Sequence, residues 1–445
     1  MRAHNLGLSN GDFEYMYTLR MQWPVLVRLL SILLSFAAVG TATAQDEPTT
    51  LRTSPVLRQL LSETLERNPG VQAARAAVEA AEARARGAGR PLYNPELQLN
   101  AEQAETRTGT LGLSQAIDWA DKRGARTAVA DAELDTVRTE YAAVRQQLAG
   151  ELLAALGRYH TAADIQRLAQ QRQELMRRFL DLAEQRRQAG DINQVELDLA
   201  SLAHTQATLQ LSQMASDLAD AEQALIAITG NPRRNWPLLP GDLPVLQTVD
   251  ADTLLKNLPA LRAQQARVAA ARSTVTLRSR ERRPDPTIGV RAGQERAFRN
   301  GNGDAYGLTG LTFSIPLYVR NSFRAEVKAA YAEQTRAEQS LQDVYRRARA
   351  QLLSAAERYR LSRGAWLAWQ ASGQASLGSQ VALLERIWRS GEMSTADYLV
   401  QLNQTLDTRM NALEVQGRLW GAWADWLVAS GQVDAWLGGA MRAEP

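Results

Sequence analysis

The longest uninterrupted pattern in the chain spans Lys122–Ala189, 68 residues without a proline. Its apolar positions include Leu134, Val137, Tyr141, Val144 and Leu148, in steps of three and four. That spacing predicts a helix whose seam packs against other long helices. At 1.5 Å per residue such a helix is roughly 100 Å long, against about 11–12 residues for an average globular helix. A second stretch of the same kind covers residues 321–389. Shorter helical patterns surround these two. One covers 55–87, with Leu57, Leu60, Leu61 and Leu65, and is interrupted at Pro69-Gly70. Another covers 194–229, with a seam of Met214, Leu218, Ala221, Leu225 and Ile228. A third covers 252–282, with Pro259 near its start, and a last one runs to about Ser430. Gly190, Gly230, Gly391 and Gly431 stand where these patterns stop, as helix-ending glycines do.

Between the helices the period changes to two. Residues 96–102 alternate, with Leu97, Leu99 and Ala101 apolar and Glu96, Gln98 and Asn100 polar. Residues 106–109 read as a turn, and Leu111-Gly112-Leu113-Ser114 alternates again. This predicts a hairpin with one apolar face and one polar or glycine face. The arrangement recurs after Pro284-Asp285-Pro286. Thr287 to Ala292 alternate with Ile288 and Val290 apolar, residues 298–304 read as a loop, and 311–315 alternate until Pro316.

The two halves align at nearly constant offset. Pro95 pairs with Pro286, Ile117 with Ile315, Gly190 with Gly391 and Gly230 with Gly431, at offsets of 191, 198, 201 and 201. Each half reads helix, hairpin, very long helix, turn, helix, which is an internal duplication. The expected organisation is an N-terminal extension and signal peptide at 1–44, a first repeat at 45–243 and a second at 244–445. The two shorter helices of a repeat together match the long one, so they can stack end to end along it.

Composition narrows the setting. The chain has 445 residues, 45% hydrophobic, with a formal charge of +3. That balance gives no basis for a nucleic-acid partner. Met21-Gln22-Trp23-Pro24-Val25-Leu26-Val27-Arg28, an apolar run to Val39 and Ala42-Thr43-Ala44 form an export signal that leaves Gln45 as the mature start. Residues 1–20 do not fit such a signal, so translation starts at Met1 or at Met21. There is no cysteine, which removes disulfides, thiolate metal sites and a lipid-modified N-terminal cysteine. Three histidines without ligand spacing predict no metal site, and no catalytic arrangement or cofactor motif is present. The mature part has no apolar run long enough for a membrane-spanning helix. Any membrane insertion must use the strands.

Four strands per chain are too few to close a barrel of useful bore. Open edges do not persist in lipid. Either several chains contribute strands to one barrel, or the sheet is a small soluble one with a solvated face. In a barrel, Leu97, Leu99, Leu111, Leu113, Ile288, Val290, Leu311, Phe313 and Ile315 would face lipid. The lumen would receive Glu96, Gln98, Asn100 and Arg291, with Gly112, Ser114, Thr287, Thr312 and Ser314.

The repeat, with Asn94-Pro95-Glu96-Leu97, Asp121-Lys122-Arg123-Gly124, Gly190-Asp191-Ile192 and Pro316-Leu317-Tyr318-Val319-Arg320-Asn321, resembles the TolC family of outer-membrane efflux channels, most of all its CzcC-like, cation-efflux branch. The resemblance implies a mainly α fold with a small β part. In such a homotrimer three chains share a twelve-stranded transmembrane β-barrel, and the long helices form an α-helical barrel across the periplasm. It implies a passive duct and no enzyme. The partners would be an inner-membrane resistance–nodulation–division pump, a periplasmic adaptor (membrane fusion) protein and outer-membrane lipid. By resemblance Gly190, Asp191, Glu196, Gly391, Glu392 and Asp397 form the periplasmic entrance and tip. Three copies of Asp397 would form one ring that attracts cations. A second acid expected three residues later is Val400 here, so the ring is single. The other account of Asp397 is a first-turn acid favoured by the helix dipole. The alternative function is a soluble periplasmic helical scaffold or adaptor. A third, a general porin, would leak without a pump.

Overall fold

The computed structural model describes residues 54–241, 243–246, 250–299, 302–372 and 374–438. The expected signal peptide lies outside these residues. Two helices, α1 (Pro55–Arg67) and α2 (Pro69–Ala88), lead into strands β1 (Glu96–Gln103) and β2 (Thr106–Ala116). The long helix α3 (Lys122–Ala189) and α4 (Gln194–Thr229) complete the first repeat. The second begins with α5 (Ala251–Leu255) and α6 (Pro259–Glu281), then β3 (Thr287–Arg299) and β4 (Asn302–Ser314). Helices α7 (Arg324–Ser372), α8 (Gln374–Arg389), α9 (Thr395–Ser430) and α10 (Val433–Trp436) follow.

The rod and its partner helix keep the bounds their punctuation implies. Gly190 (φ 85°) and Gly431 (φ 73°) adopt the left-handed conformation that a Cβ would strain. Both shorter helices of the N-terminal part of each repeat break before a proline. Asn68 and Leu258 are extended (ψ 125° and 120°) because the pyrrolidine ring that follows excludes the helical region. The expected single helices at 55–87 and 252–282 are therefore α1 with α2 and α5 with α6. Asn68 does more than end α1. Its side chain caps α2 by accepting from Gly70 N–H, and it donates to the Ile228 carbonyl near the end of α4. Gly431 at the end of α9 lies against Leu258 in the same way. These are the two end-to-end joints.

Four expected bounds around the sheet need correction. Residues 106–109 are not a turn but the start of β2, paired as Glu102↔Thr108 and Gln103↔Arg107. Thr106, Thr108 and Thr110 share a half-buried face, and their β-branched side chains suit a strand better than a turn. Residues 298–299 and 302–304 likewise extend the second hairpin, with Phe298↔Gly303 and Arg299↔Asn302 paired. Ile315 lies one residue beyond β4 and is not a strand residue, because Pro316 supplies no amide to continue the ladder. The second rod also starts later than expected, at Arg324. Asn321 accepts from the Phe323 amide and Phe323 sits at φ 53°. Asp121 (φ 52°) occupies the matching place before α3.

Helix α3 spans both joints. It packs on α2 and α4 of its own repeat and on α6 and α9 of the other, while α7 packs on α6 and α9. One core gathers at mid-rod, where Leu152, Leu153 and Leu156 meet Leu57, Leu61, Trp236, Leu258, Tyr359, Trp423 and Leu427. Trp423 stacks on Trp426 at 5.0 Å, so these tryptophans are packing residues. The seam expected from Leu134 to Leu148 is only half-buried in the chain, and Val144 is exposed. Close helix contact comes instead at glycines. A Cβ on Gly150 would lie 2.1 Å from Val428 Cγ2, and one on Gly157 2.9 Å from Trp420 Cβ. These two glycines, seven apart, let α9 settle against α3.

Gly150→Val should lower stability by about 1–3 kcal/mol through overpacking, seen as a lower denaturant midpoint by circular dichroism. Adding Val428→Ala should recover most of that loss.

Candidate functional site

The four strands form one antiparallel sheet in the order β1-β2-β3-β4. Register decides its faces. Leu97 opposes Leu113, Leu99 opposes Leu111, Leu113 opposes Val290, Val290 opposes Leu311 and Ile288 opposes Phe313. Directly opposed residues share a face, so these side chains form one apolar surface. All are exposed, Leu99 by 76%, Leu311 by 83% and Phe313 by 68%. The opposite face carries Glu96, Gln98 and Asn100, then Gly112 and Ser114, then Arg291 beside Gly310. Here Gly112, Gly289 and Ser114 are buried. This inverts the order of a water-soluble sheet, which keeps its apolar face covered and its polar face in water.

Where the sheet meets the rods, a buried ion pair joins the repeats. Lys122 Nζ, first residue of α3, lies 2.9 Å from Asp285 Oδ2, in the turn before β3. Their side chains are 9% and 5% exposed. The Tyr93 hydroxyl donates to the same carboxylate oxygen. Burial, reinforced by that carboxylate, pushes the Tyr93 phenol well above its ordinary range. Asp118 accepts from the amides of Lys122 and Arg123 at 2.7 Å each and so caps α3. Asp121 accepts from Arg280 and from Gly124 N–H, and the Arg280 hydrogen bond is the larger reason its carboxyl titrates below the usual range. A Cβ at Gly124 would fall 2.5 Å from the Asp121 carboxylate oxygens, so a larger residue there would push that carboxylate aside.

At the far end the two turns repeat one design. Gly190 and Asp191 amides donate back to the Arg187 and Arg186 carbonyls, and Gly391 and Glu392 amides to those of Trp388 and Ile387. This is the Schellman pairing that closes a helix through a left-handed residue. Asp191 and Glu392 are exposed beside these glycines. The next helix then starts with a capping pair. Asn193 accepts from Glu196 N–H, and the Glu196 carboxylate accepts from Asn193 N–H. Ser394 Oγ accepts from Asp397 N–H and donates to Asp397 Oδ2 at 2.7 Å. Glu196 thus completes a capping box with Asn193, whereas Asp397 braces the capping Ser394 through its hydroxyl, and Asp397 remains exposed. Behind the turns, Trp388 stacks on Tyr398 at 5.2 Å and Phe179 lies 4.6 Å from Trp388. Burial pushes the Tyr398 phenol up to about 12. Arg186 lies over the Trp388 ring at 5.4 Å. Deeper still, Arg172 of α3 bonds Asp407 and Asn403 of α9 at 2.8 and 2.7 Å.

Alternation in the sequence was enough to separate the sheet faces. It gave no sign of the Lys122–Asp285 pair, whose partners are 163 residues apart, nor of the Arg172 contact. Among the described residues no helix is long and apolar enough to cross a membrane, and no group of three or more potential ligands could hold a metal.

An exposed apolar sheet on long paired helices, duplicated within one chain, defines an outer-membrane channel subunit. The comparisons agree. The outer membrane efflux protein family matches residues 60–231 and 251–431, and the chain belongs to that family. The cobalt-zinc-cadmium resistance protein CzcC of Cupriavidus metallidurans is 26% identical over 239 residues, 52% of this chain and 56% of CzcC. The pyoverdine export outer membrane protein OpmQ of Pseudomonas putida is 28% identical over 320 residues, 63% of this chain and 66% of OpmQ. The chain therefore spans little more than half of the first relative and about two thirds of the second. Among solved structures, the CmeC outer membrane channel of Campylobacter jejuni superposes with a TM-score of 0.71 at 16% identity, covering 86% of each chain. CusC superposes with 0.67 at 16% identity, covering 84% of this chain and 92% of CusC. At such identities the structures establish the fold, a TolC-like two-repeat architecture. Membership places the protein in the outer membrane, with its helical part in the periplasm.

Lys122→Met leaves Asp285 buried without its cation, which should cost about 3–5 kcal/mol. Thermal unfolding should show the loss. The double change Lys122→Met with Asp285→Leu should be milder than Lys122→Met alone.

Proposed function

We propose that this protein is the passive outer-membrane exit duct of a tripartite efflux system. In this reading three copies share one barrel, and an inner-membrane pump of the resistance–nodulation–division type delivers substrate through a periplasmic adaptor protein. The repeats at 45–243 and 244–445 each supply one hairpin and one long helix to the assembly. The observation that carries the reading is the exposed apolar face of the sheet, from Leu97 to Phe313. Its edges, β1 and β4, each pair on one side only among the described residues. Lipid would accept the apolar face but not the free edges. Strands from further copies would satisfy the edges and leave Glu96, Gln98, Asn100 and Arg291 toward a polar lumen. A soluble scaffold or adaptor offers no use for eight large apolar side chains in water. The cargo best supported is a metal cation, through the likeness to CzcC. The chain catalyses nothing in this account and needs no cofactor.

Leu99→Asp and Leu311→Asp should each remove the protein from the outer-membrane fraction, because an acid on the lipid face is costly near the bilayer centre. Recovery of either variant in that fraction at the level of the unaltered protein would sink the reading.

Asp397 can act as an entrance charge, as a support of the cap, or as both, and two substitutions separate the roles. Asp397→Asn keeps an acceptor for the Ser394 hydroxyl without the charge, whereas Asp397→Ala removes both the charge and that support of the cap. If the acids form a ring, both variants should weaken cation block of single-channel conductance in planar bilayers. A change with Ala alone would leave Asp397 as a support of the cap only.

A further inference from the structure

The end of the sheet that joins the rods carries an excess of arginine that the chain does not neutralise. Four segments enter or leave the sheet there, residues 89–95, 117–123, 278–286 and 315–324. Together they hold nine basic and four acidic residues. All four acids are engaged. Asp118 caps α3, Asp121 pairs with Arg280, Glu281 with Arg278 and Asp285 with Lys122. Arg282 and Arg283 are exposed and form no ion pair among the described residues. Arg90 and Arg320 stand exposed in the two outer segments, which contain no acid.

The same end is apolar on its surface. Trp119 is 60% exposed and Ile117 is exposed beside it. Both follow β2, as Arg282 and Arg283 precede β3. Strands β2 and β3 are the two inner strands, and the Ile117 amide donates to the Pro286 carbonyl between them. This patch is therefore set back from the edges where a second copy would pair. It continues the apolar surface of Leu113 and Ile288 down to the point where the chain leaves the sheet. An indole after one inner strand and two guanidinium groups before the next, at the limit of a lipid-facing surface, suit the headgroup layer, where the ring is half immersed and the cation meets phosphate.

We infer that Trp119, Arg282 and Arg283 form an interfacial collar that binds anionic phospholipid of the periplasmic leaflet. The inference rests on the barrel reading above and adds a headgroup preference to it. Arginine is suited to the role because its planar fork grips two phosphate oxygens and stays charged at any physiological pH. The collar also supplies a fixed depth for the barrel that needs no lipid-modified cysteine, a residue this chain lacks.

The absence of native cysteine makes the test direct, because an introduced cysteine is the sole site for a nitroxide label. The full-length protein carrying Ile117→Cys or Leu99→Cys is labelled and reconstituted in phosphatidylcholine vesicles with one third phosphatidylglycerol. Both labels should be relaxed more by oxygen, which concentrates in lipid, than by a water-soluble nickel chelate, with Ile117 nearer the crossover. An aqueous signal at Ile117 with a lipid signal at Leu99 overturns the collar and leaves the barrel. Aqueous signals at both overturn the barrel and the collar together. In the unlabelled protein, the motionally restricted fraction of spin-labelled phosphatidylglycerol over phosphatidylcholine reads the headgroup preference. It should be severalfold, at about fivefold for each arginine at an anionic surface. Arg282→Gln with Arg283→Gln should bring the ratio near one while the protein stays inserted. A ratio near one in the unaltered protein, or the same ratio in the variant, overturns the assignment to these arginines.

Discussion

A strand at the edge of a sheet carries unpaired amides and carbonyls, and in hydrocarbon each costs several kcal/mol. Everything above the rods answers to that constraint. The sheet of this chain has two such edges, on β1 and β4, and an apolar face that water does not suit. One chain cannot resolve both problems, whereas several chains side by side resolve both at once. The duplication then follows naturally. Each repeat contributes an incomplete hairpin and a rod, and neither half closes anything alone.

The junction below the sheet shows how the halves are kept in register. Lys122 belongs to the first repeat and Asp285 to the second, and Tyr93 before β1 reaches the same carboxylate. Burying a charge is favourable only when its partner and hydrogen bonds are in place. The contact therefore tolerates one relative position of β1, β3 and α3. The far end relies on other chemistry, the stacking of Phe179, Trp388 and Tyr398 behind two Schellman turns. Rigidity at the sheet is thus electrostatic, and at the tip it is aromatic.

Much of the architecture was legible because its signals are local. Glycine and Asn or Ser caps delimit α3, α4 and α9, and strict alternation separates Leu97, Leu99, Leu111 and Leu113 from Glu96, Gln98 and Ser114. Strand lengths were harder. Thr106, Gly109 and Asn302 look like turn residues, yet cross-strand pairing carries them into the ladder. Seams misled for a related reason. Periodicity shows that a helix has an apolar stripe but not which neighbour covers it, so Leu134 and Val144 are half-buried or exposed while Gly150 and Gly157 lie tightly against α9. Contacts such as Lys122–Asp285 and Arg172–Asp407 join residues far apart in the chain, and no local pattern encodes them. The tip acids follow from the resemblance, but the capping box of Glu196 and the Asp397 contact to the Ser394 hydroxyl are visible only in the hydrogen bonds.

The two end-to-end joints have a consequence for how such a chain can change in length. Helix α3 is continuous past the point where Asn68 meets Ile228, while the helices beside it are divided there. The divided side works as a ruler with a mark at its middle, laid against an unmarked one. A heptad added to α3 on the sheet side of the mark must be matched in α2, and one added on the tip side must be matched in α4. A matched addition in one repeat alone would still leave its tip out of level with the other. Lineages that lengthen or shorten this duct should therefore do so by paired, heptad-sized steps in both repeats. Isolated insertions belong where nothing is measured, in the hairpin turns and the proline-rich connector after Gly230.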